Sequence, residues 1–224
     1  MRFIPRFKDL CVDFLFPKTR KVLELERLSV GTLLDLLPTA EHINDKNITA
    51  LFDYDHPLVK EMIWELKYDG NCTVAALLGE ILYDVIRHEL AELNIFEPTG
   101  WKMDRRILLM PIPVSDRRRS ERGWNQAELL CDQILMHDSE KIFKYLPRQL
   151  AKVRHTESQT KTASKKERLE NLTKSMKILN APAVKDRSVV VIDDVTTTGS
   201  TFNEARRALR EAGAKKVLCV AVAH

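Results

Sequence analysis

Four apolar residues, Val189–Ile192, run directly into two adjacent carboxylates, Asp193 and Asp194. One valine follows, then six small or hydroxylated residues, Thr196–Thr201, and then an amphipathic segment, Phe202–Ala212. That order predicts a buried strand, an acidic tip, a hydroxyl-rich loop and a helix. In a parallel sheet, ligands bind outside the carboxyl ends of the strands, and the start of the following helix seats anions. Here the acids and the anion seat are neighbours. A ligand that suits both carries a phosphate and also groups that donate hydrogen bonds to carboxylates. A ribose 5-phosphate has that chemistry: its hydroxyls meet Asp193 and Asp194, and its phosphate meets Thr196, Thr197, Thr198, Gly199, Ser200 and Thr201. The competing reading is a strand–helix turn whose Asp and Thr residues only cap the helix.

The rest of the chain has the alternation that such a strand needs. Ile48–Tyr54, Arg106–Met110, Phe143–Val153, Ser188–Ile192 and Val217–Ala223 read as strands. Pro57–Lys67, Thr73–Leu93, Asn125–Met136 and Ser200–Ala212 read as helices, the last closed by Gly213. Strands alternating with helices predict an α/β fold with a central parallel sheet flanked by helices. Residues 1–45 are broken by Pro17, Gly31 and Pro38 and suit short helices. Residues 154–174 are polar and basic and read as a mobile loop running into a helix.

Composition narrows the class. The 224 residues suit one domain with a small appendage. A net charge of +4 is too modest to argue for nucleic acid alone. The charge is clustered, in DRRRSER at 116–122 and KTASKKER at 161–168, as phosphate sites and solvated faces both require. No apolar run approaches the roughly 18–20 residues of a membrane span, and Lys8, Asp9 and Asp13 interrupt any leader-like stretch. Cys11, Cys72, Cys131 and Cys219 are far apart, without metal-ligand spacing, as expected of reduced thiols in the cytoplasm. The chain has neither a G-x-G-x-x-G fingerprint nor a G-x-x-x-x-G-K-[ST] loop, which argues against NAD and ATP.

The acidic tip and its loop, DDVTTTGST, resemble the phosphoribosyl-pyrophosphate (PRPP) signature DDVxTTGxT of type I phosphoribosyltransferases. Every fixed position is matched, by Asp193, Asp194, Val195, Thr197, Thr198, Gly199 and Thr201. The resemblance implies a type I phosphoribosyltransferase fold over 48–224, behind a small N-terminal extension at 1–47. It also implies that the loop after an early strand holds pyrophosphate. MPIPVSD, at 110–116, occupies that place: Val114 and Ser115 offer amides, and Arg117 and Arg118 offer charge. A proline-rich turn with a solvated basic run is the alternative.

Three further segments resemble the ComF family, known for DNA uptake in competent bacteria. These are YDHPLVKEMIWELKYDG at 54–70, like Y…I…LKYxG; RGWNQ at 122–126, like RGFNQ; and RHTESQTKTASKKERLEN at 154–171. The last places Arg154, Thr156, Gln159, Arg168 and Asn171 in the family's order. The resemblance implies that this loop closes over bound PRPP and excludes water. One departure is plain. ComF proteins usually follow their LFP element with a four-cysteine zinc module, whereas here LFP, Leu15–Pro17, is followed by no cysteine at 19–22. The expectation is a degenerate N-terminal segment without zinc.

What the resemblance implies chemically is Mg²⁺ bound through PRPP, Asp193 and Asp194 as catalytic carboxylates, and phosphoribosyl transfer to an unidentified acceptor. The competing expectation is a non-catalytic module that binds PRPP or serves DNA uptake by contacting single-stranded DNA or a helicase partner. A homodimer is usual among relatives of this fold.

Overall fold

The structure, a computed structural model, describes residues 20–40, 43, 45–93, 106–153 and 175–224. The strand that ends in the acidic pair spans Ser188–Val195, and its Val189–Ile192 run is fully enclosed. A strand without polar alternation needs cover on both faces, the condition under which parallel sheets form. In chain order the strands of the main sheet are β1 (Ile48–Phe52), β2 (Ile107–Pro111), β3 (Phe143–Tyr145), β6 (Ser188–Val195) and β7 (Lys216–Ala223). Among the described residues they form one sheet in the order β1-β7-β6-β2-β3, every pairing parallel. The expected central parallel sheet is therefore present.

The strands' period of two divides the core into two layers. On one face Leu109, Val190, Ile192, Leu218 and Val220 meet the helices α3 (Pro57–Trp64), α4 (Cys72–Glu92) and α6 (Gln126–His137). On the other, Leu108, Met110, Val189, Val191 and Cys219 meet Phe202, Ala205 and Leu209 of α8 (Ser200–Glu211). Burying each such aliphatic side chain is worth about 1.5–3 kcal/mol. The short helices α1 (Arg20–Leu25) and α2 (Val30–Leu36) contribute Leu25 and Leu33 to the first layer, joined by Leu37 just after α2.

Some elements differ from the sequence expectation. The Phe143–Val153 region divides into β3 and β4 (Leu150–Lys152), and β4 leaves the main sheet to pair antiparallel with β5 (Met176–Ile178). The charged run at 116–122 is a helix, α5 (Asp116–Arg122), capped by the Ser115 hydroxyl and closed by left-handed Gly123. The helix begun at Pro57 does not run straight to Lys67. It widens into a π-helical turn, Glu65–Asp69, that ends on left-handed Gly70. A one-turn helix, α7 (Ala181–Val184), precedes β6.

The helices α4 and α6 approach closely at Gly79. A Cβ built there would lie 2.3 Å from Cβ of Gln133 and 3.1 Å from its backbone carbonyl carbon. Gly79→Ala gains helix propensity but forces the two helices apart. Overpacking of this kind costs about 1–3 kcal/mol. The variant is expected to melt several degrees below the unmodified protein in a thermal unfolding scan; an equal or higher midpoint would contradict this packing.

Candidate functional site

The strand order locates the site. After β2 the chain moves outward to β3; after β6 it moves to β7, on the other side. Loops leaving two adjacent strands in opposite directions open a crevice at their carboxyl ends. Both segments singled out from the sequence flank that crevice. Asp193 and Asp194 end β6, and Val114 and Ser115 follow β2. The amide of Ile112 donates to the Ile192 carbonyl at 2.8 Å, continuing the β2–β6 pairing up to the acidic tip.

The two acids are unequal. The Asp194 amide donates to Asp193 Oδ1 at 2.9 Å. Asp194 is buried, and its Oδ2 forms an ion pair with Lys67 Nζ at 2.9 Å. Desolvation at the strand tip, followed by the adjacent Asp194 charge, holds the Asp193 carboxyl well above the usual carboxylate range. The ammonium of Lys152, on β4, opposes that rise. Lys152 is itself lowered, first by desolvation and then by Arg118. Lys152, Arg118 and Asp193 therefore share one electrostatic neighbourhood across the crevice.

The hydroxyl-rich loop is built on main-chain constraints. Thr196 is buried; its amide donates to the Ala223 carbonyl at 2.9 Å, and its carbonyl lies 3.2 Å from His224 Nδ1. Gly199 stands at φ +69 as the N-cap of α8, with a prospective Cβ 3.2 Å from Ile48 Cδ1, so a side chain would be both strained and crowded. Asn203 N–H donates to the Gly199 carbonyl at 2.8 Å, which makes Gly199 the start of the helical ladder. The hydroxyls of Thr198 and Ser200 lie 2.6 Å apart, and Thr197 and Thr198 are exposed at the crevice edge. A loop closing into the first turn of a helix presents unpaired amides, suited to a phosphate.

Across the crevice, Ser115 caps α5 and accepts from the Arg118 amide at 3.3 Å. Arg117 points along its own helix, 81% exposed and 3.5 Å from Glu121. Arg119 makes a bidentate pair with Glu128, both contacts at 2.8 Å. Asn125 is buried at the start of α6. Its Nδ2 donates to the Ile112 carbonyl at 2.9 Å while its Oδ1 accepts from Ala127 at 3.0 Å, so RGWNQ fixes the exit of β2. Trp124 Nε1 donates to the Leu66 carbonyl at 2.9 Å. A cavity of about 450 Å³ lies between this loop and β4, lined among others by Val114, Ser115, Arg148, Leu150 and Lys152.

Arg154, Thr156, Gln159 and Arg168 lie outside the described residues, as do Cys11 and the LFP element. The two ends of the 154–174 segment are described. Val153 N–H donates to the Ser175 carbonyl at 2.8 Å, so the segment connects the two strands of an antiparallel hairpin. Buried Glu204 accepts from the Met176 amide at 3.0 Å, and Arg207 donates to the Met176 carbonyl at 2.8 Å, tying the hairpin to α8.

Three cations near the crevice were not among the residues singled out from the sequence. Arg148 and Lys152 lie in a segment with no motif. Lys67 stands within LKYDG, which was read as a family segment without a role for its lysine. Tyr68 of the same turn and Trp64, the last residue of α3, are exposed with ring centroids 5.3 Å apart, and the Arg122 guanidinium lies 5.0 Å from the Tyr68 centroid.

Residues 139–224 match the phosphoribosyl transferase domain family, the stretch that contains β6, its acids and α8. Over 215 residues, 94% of this chain, the sequence is 31% identical to the DNA utilization protein YhgH of Shigella flexneri, covering 82% of that protein. It is 28% identical to competence protein F of Haemophilus influenzae over 70% of this chain and 63% of that protein, and 28% identical to competence protein ComFC of Streptococcus pneumoniae over 75% and 64%. The chain belongs to the ComF family of phosphoribosyltransferase-like proteins. Its similarity to the first of these relatives extends beyond residues 48–224, where the motifs lie. Among the described residues no helix is long and apolar enough to cross a membrane.

Because desolvation and Asp194 raise the Asp193 carboxyl, ionising it costs folding stability. The sign follows from proton binding. Between the unfolded and the raised folded values the native state holds more protons, so stability falls as pH rises through that window and stays lowered above it. Asp193→Asn keeps the acceptor for the Asp194 amide and removes the charge. At neutral pH it is expected to raise the melting temperature by a few degrees; a lower midpoint would contradict the reading of the acidic tip.

Proposed function

We propose that the crevice binds Mg-PRPP and that the protein transfers its phosphoribosyl group to an acceptor, releasing pyrophosphate. The observation that supports this most directly is the juxtaposition of an acidic strand end and a helix-capping hydroxyl loop on one wall with the Val114–Ser115 loop on the other. Asp193 and Asp194 accept hydrogen bonds from the ribose hydroxyls. The amides and hydroxyls of Thr196–Thr201 hold the 5-phosphate. Main-chain amides at Val114 and Ser115, with Arg118 and Lys152, face the pyrophosphate.

Among the described residues no group of three or more His, Cys, Asp and Glu side chains gathers as a metal site. Two carboxylates and the loop hydroxyls are hard oxygen donors that fit Mg²⁺ when the ligand's own oxygens complete the shell. A bound Mg²⁺ would supply charge neutralisation at the pyrophosphate.

In the transfer, the bond between C1 and the pyrophosphate oxygen breaks and the leaving group keeps the electron pair. The acceptor's nucleophile bonds to C1 and loses its proton. The sugar passes through a transition state with positive charge near its ring, and two carboxylates fixed beside it stabilise that charge without reorganisation. Lys152 and Arg118 offset the negative charge that gathers on pyrophosphate. The competing structural role, in which Asp and Thr only cap α8, has less support, because the α8 N-cap is Gly199, which makes no side-chain capping bond.

A second reading has its own observation. The exposed Trp64–Tyr68 pair under Arg122 is a surface on which bases of a single strand can stack. It supports a module that contacts single-stranded DNA without turnover, in keeping with the names of the competence and DNA utilization relatives.

Replacing Asp193 and Asp194 together by Ala is expected to abolish Mg-PRPP binding in calorimetry, and unchanged affinity would overturn the site. Pyrophosphate release measured across nucleobases and amines, with a labelled single strand present, separates the two readings. Release that is lost in Asp193→Ala supports transfer. Salt-sensitive strand binding without release supports the module.

A further inference from the structure

The acid that ends the PRPP-like strand is held by a lysine from a different part of the chain. Lys67 Nζ lies 2.9 Å from Asp194 Oδ2, with 24% of the lysine side chain and 11% of the aspartate exposed. Lys67 belongs to the turn Glu65–Asp69, where the helix opens from an α to a π ladder. Such a turn shifts the helical phase of its residues, and π turns occur often at functional sites.

The turn is fixed from several sides. The Gly70 amide donates to the Glu65 carbonyl and so closes the π turn, and Asn71 N–H donates to the same carbonyl at 3.3 Å. The Asn71 side chain lies 2.8 Å from both Glu65 Oε2 and Glu26 Oε1. Trp124 Nε1 bonds the Leu66 carbonyl at 2.9 Å, and its ring covers Gly70, leaving a prospective Cβ 3.1 Å from Cε2. These contacts hold the backbone on both sides of Lys67. The RGWNQ segment that fixes the exit of β2 thus also supports the turn that carries the lysine.

Two adjacent carboxylates in a partly dry crevice repel each other, and a counter-charge beside one of them offsets that repulsion and holds its side chain in place. A carboxylate oxygen already facing an ammonium is less free to accept from a sugar hydroxyl than its partner oxygen. A lysine 2.9 Å from Asp194 Oδ2 sets a positive charge against that oxygen and fixes which of the two oxygens remains for a ligand.

From this geometry we infer that Lys67 is a positioning residue for the ribose end of the ligand: it acts through Asp194, and the π turn exists to place it there. The inference rests on the Mg-PRPP reading of the site. It assigns Lys67 to the sugar and leaves the pyrophosphate to the opposite wall. The alternative role, a direct counter-charge for phosphate, is distinguishable because it predicts a loss for any polyanion in the crevice.

The test is calorimetry on the full chain with two probes, Mg-PRPP and magnesium pyrophosphate, for the unmodified protein, Lys67→Met and Lys67→Gln. Melting temperatures are measured alongside, and Lys67→Gln serves if Lys67→Met does not fold. The expected result is a loss of at least about tenfold in Mg-PRPP affinity, the order that follows from weakening a charged hydrogen-bond acceptor, with pyrophosphate affinity unchanged. Unchanged Mg-PRPP affinity in a folded variant overturns the inference and leaves the site reading intact. An equal loss for both probes also overturns it, in favour of a direct phosphate contact or general disruption of the crevice. No Mg-PRPP binding by the unmodified protein removes the site reading and the inference with it.

Discussion

A strand that is apolar on both faces and ends in two carboxylates sets the terms for everything around it. Val189–Ile192 are excluded from water only if helices cover both sides of the sheet, and Asp193 and Asp194, though largely desolvated, find counter-charges and an opening only because the strand stops at an edge. The sheet meets both demands by placing β6 between β7 and β2 with all carboxyl ends aligned. The acids then stand where the chain leaves two neighbouring strands in opposite directions. The crevice follows from the sheet's topology, and the loops supply its chemistry.

The charges in the crevice are arranged across walls. On one side Lys67 neutralises Asp194; on the other Lys152 and Arg118 crowd each other and face Asp193. Such an asymmetric field suits the proposed ligand, a phosphorylated sugar, with acceptors for its hydroxyls and cations for its leaving group. A uniformly basic cleft would attract anions but would give no orientation to the ring.

What was legible in the sequence was what local pattern determines. The β6 run, the DDVTTTGST tip and the closure at Gly213 follow from hydrophobic continuity and turn chemistry, and the helices Thr73–Leu93 and Asn125–Met136 follow from their stripes. The rest depended on partners distant in the chain. The run at 116–122 reads as solvated charge, and becomes a helix because Ser115 caps it and Gly123 closes it. Phe143–Val153 reads as one weak strand; its two halves separate because Leu150–Lys152 finds Met176–Ile178, across a segment no periodicity bridges. Lys67 reads as the polar end of an amphipathic helix, since a shift to π hydrogen bonding has no local signature. Its meaning comes from Asp194, 127 positions further on (194 − 67).

The Glu204–Arg207 tie gives α8 a double duty. At its first residues the helix frames the Thr196–Thr201 loop; one turn later it grips the backbone of Met176, the first residue of β5. One helix therefore bears both the hydroxyl-rich loop at its start and the β4–β5 pair beside its second turn. A substitution at Glu204 would unfasten the β4–β5 pair from α8 while leaving the side chains of the crevice chemically the same.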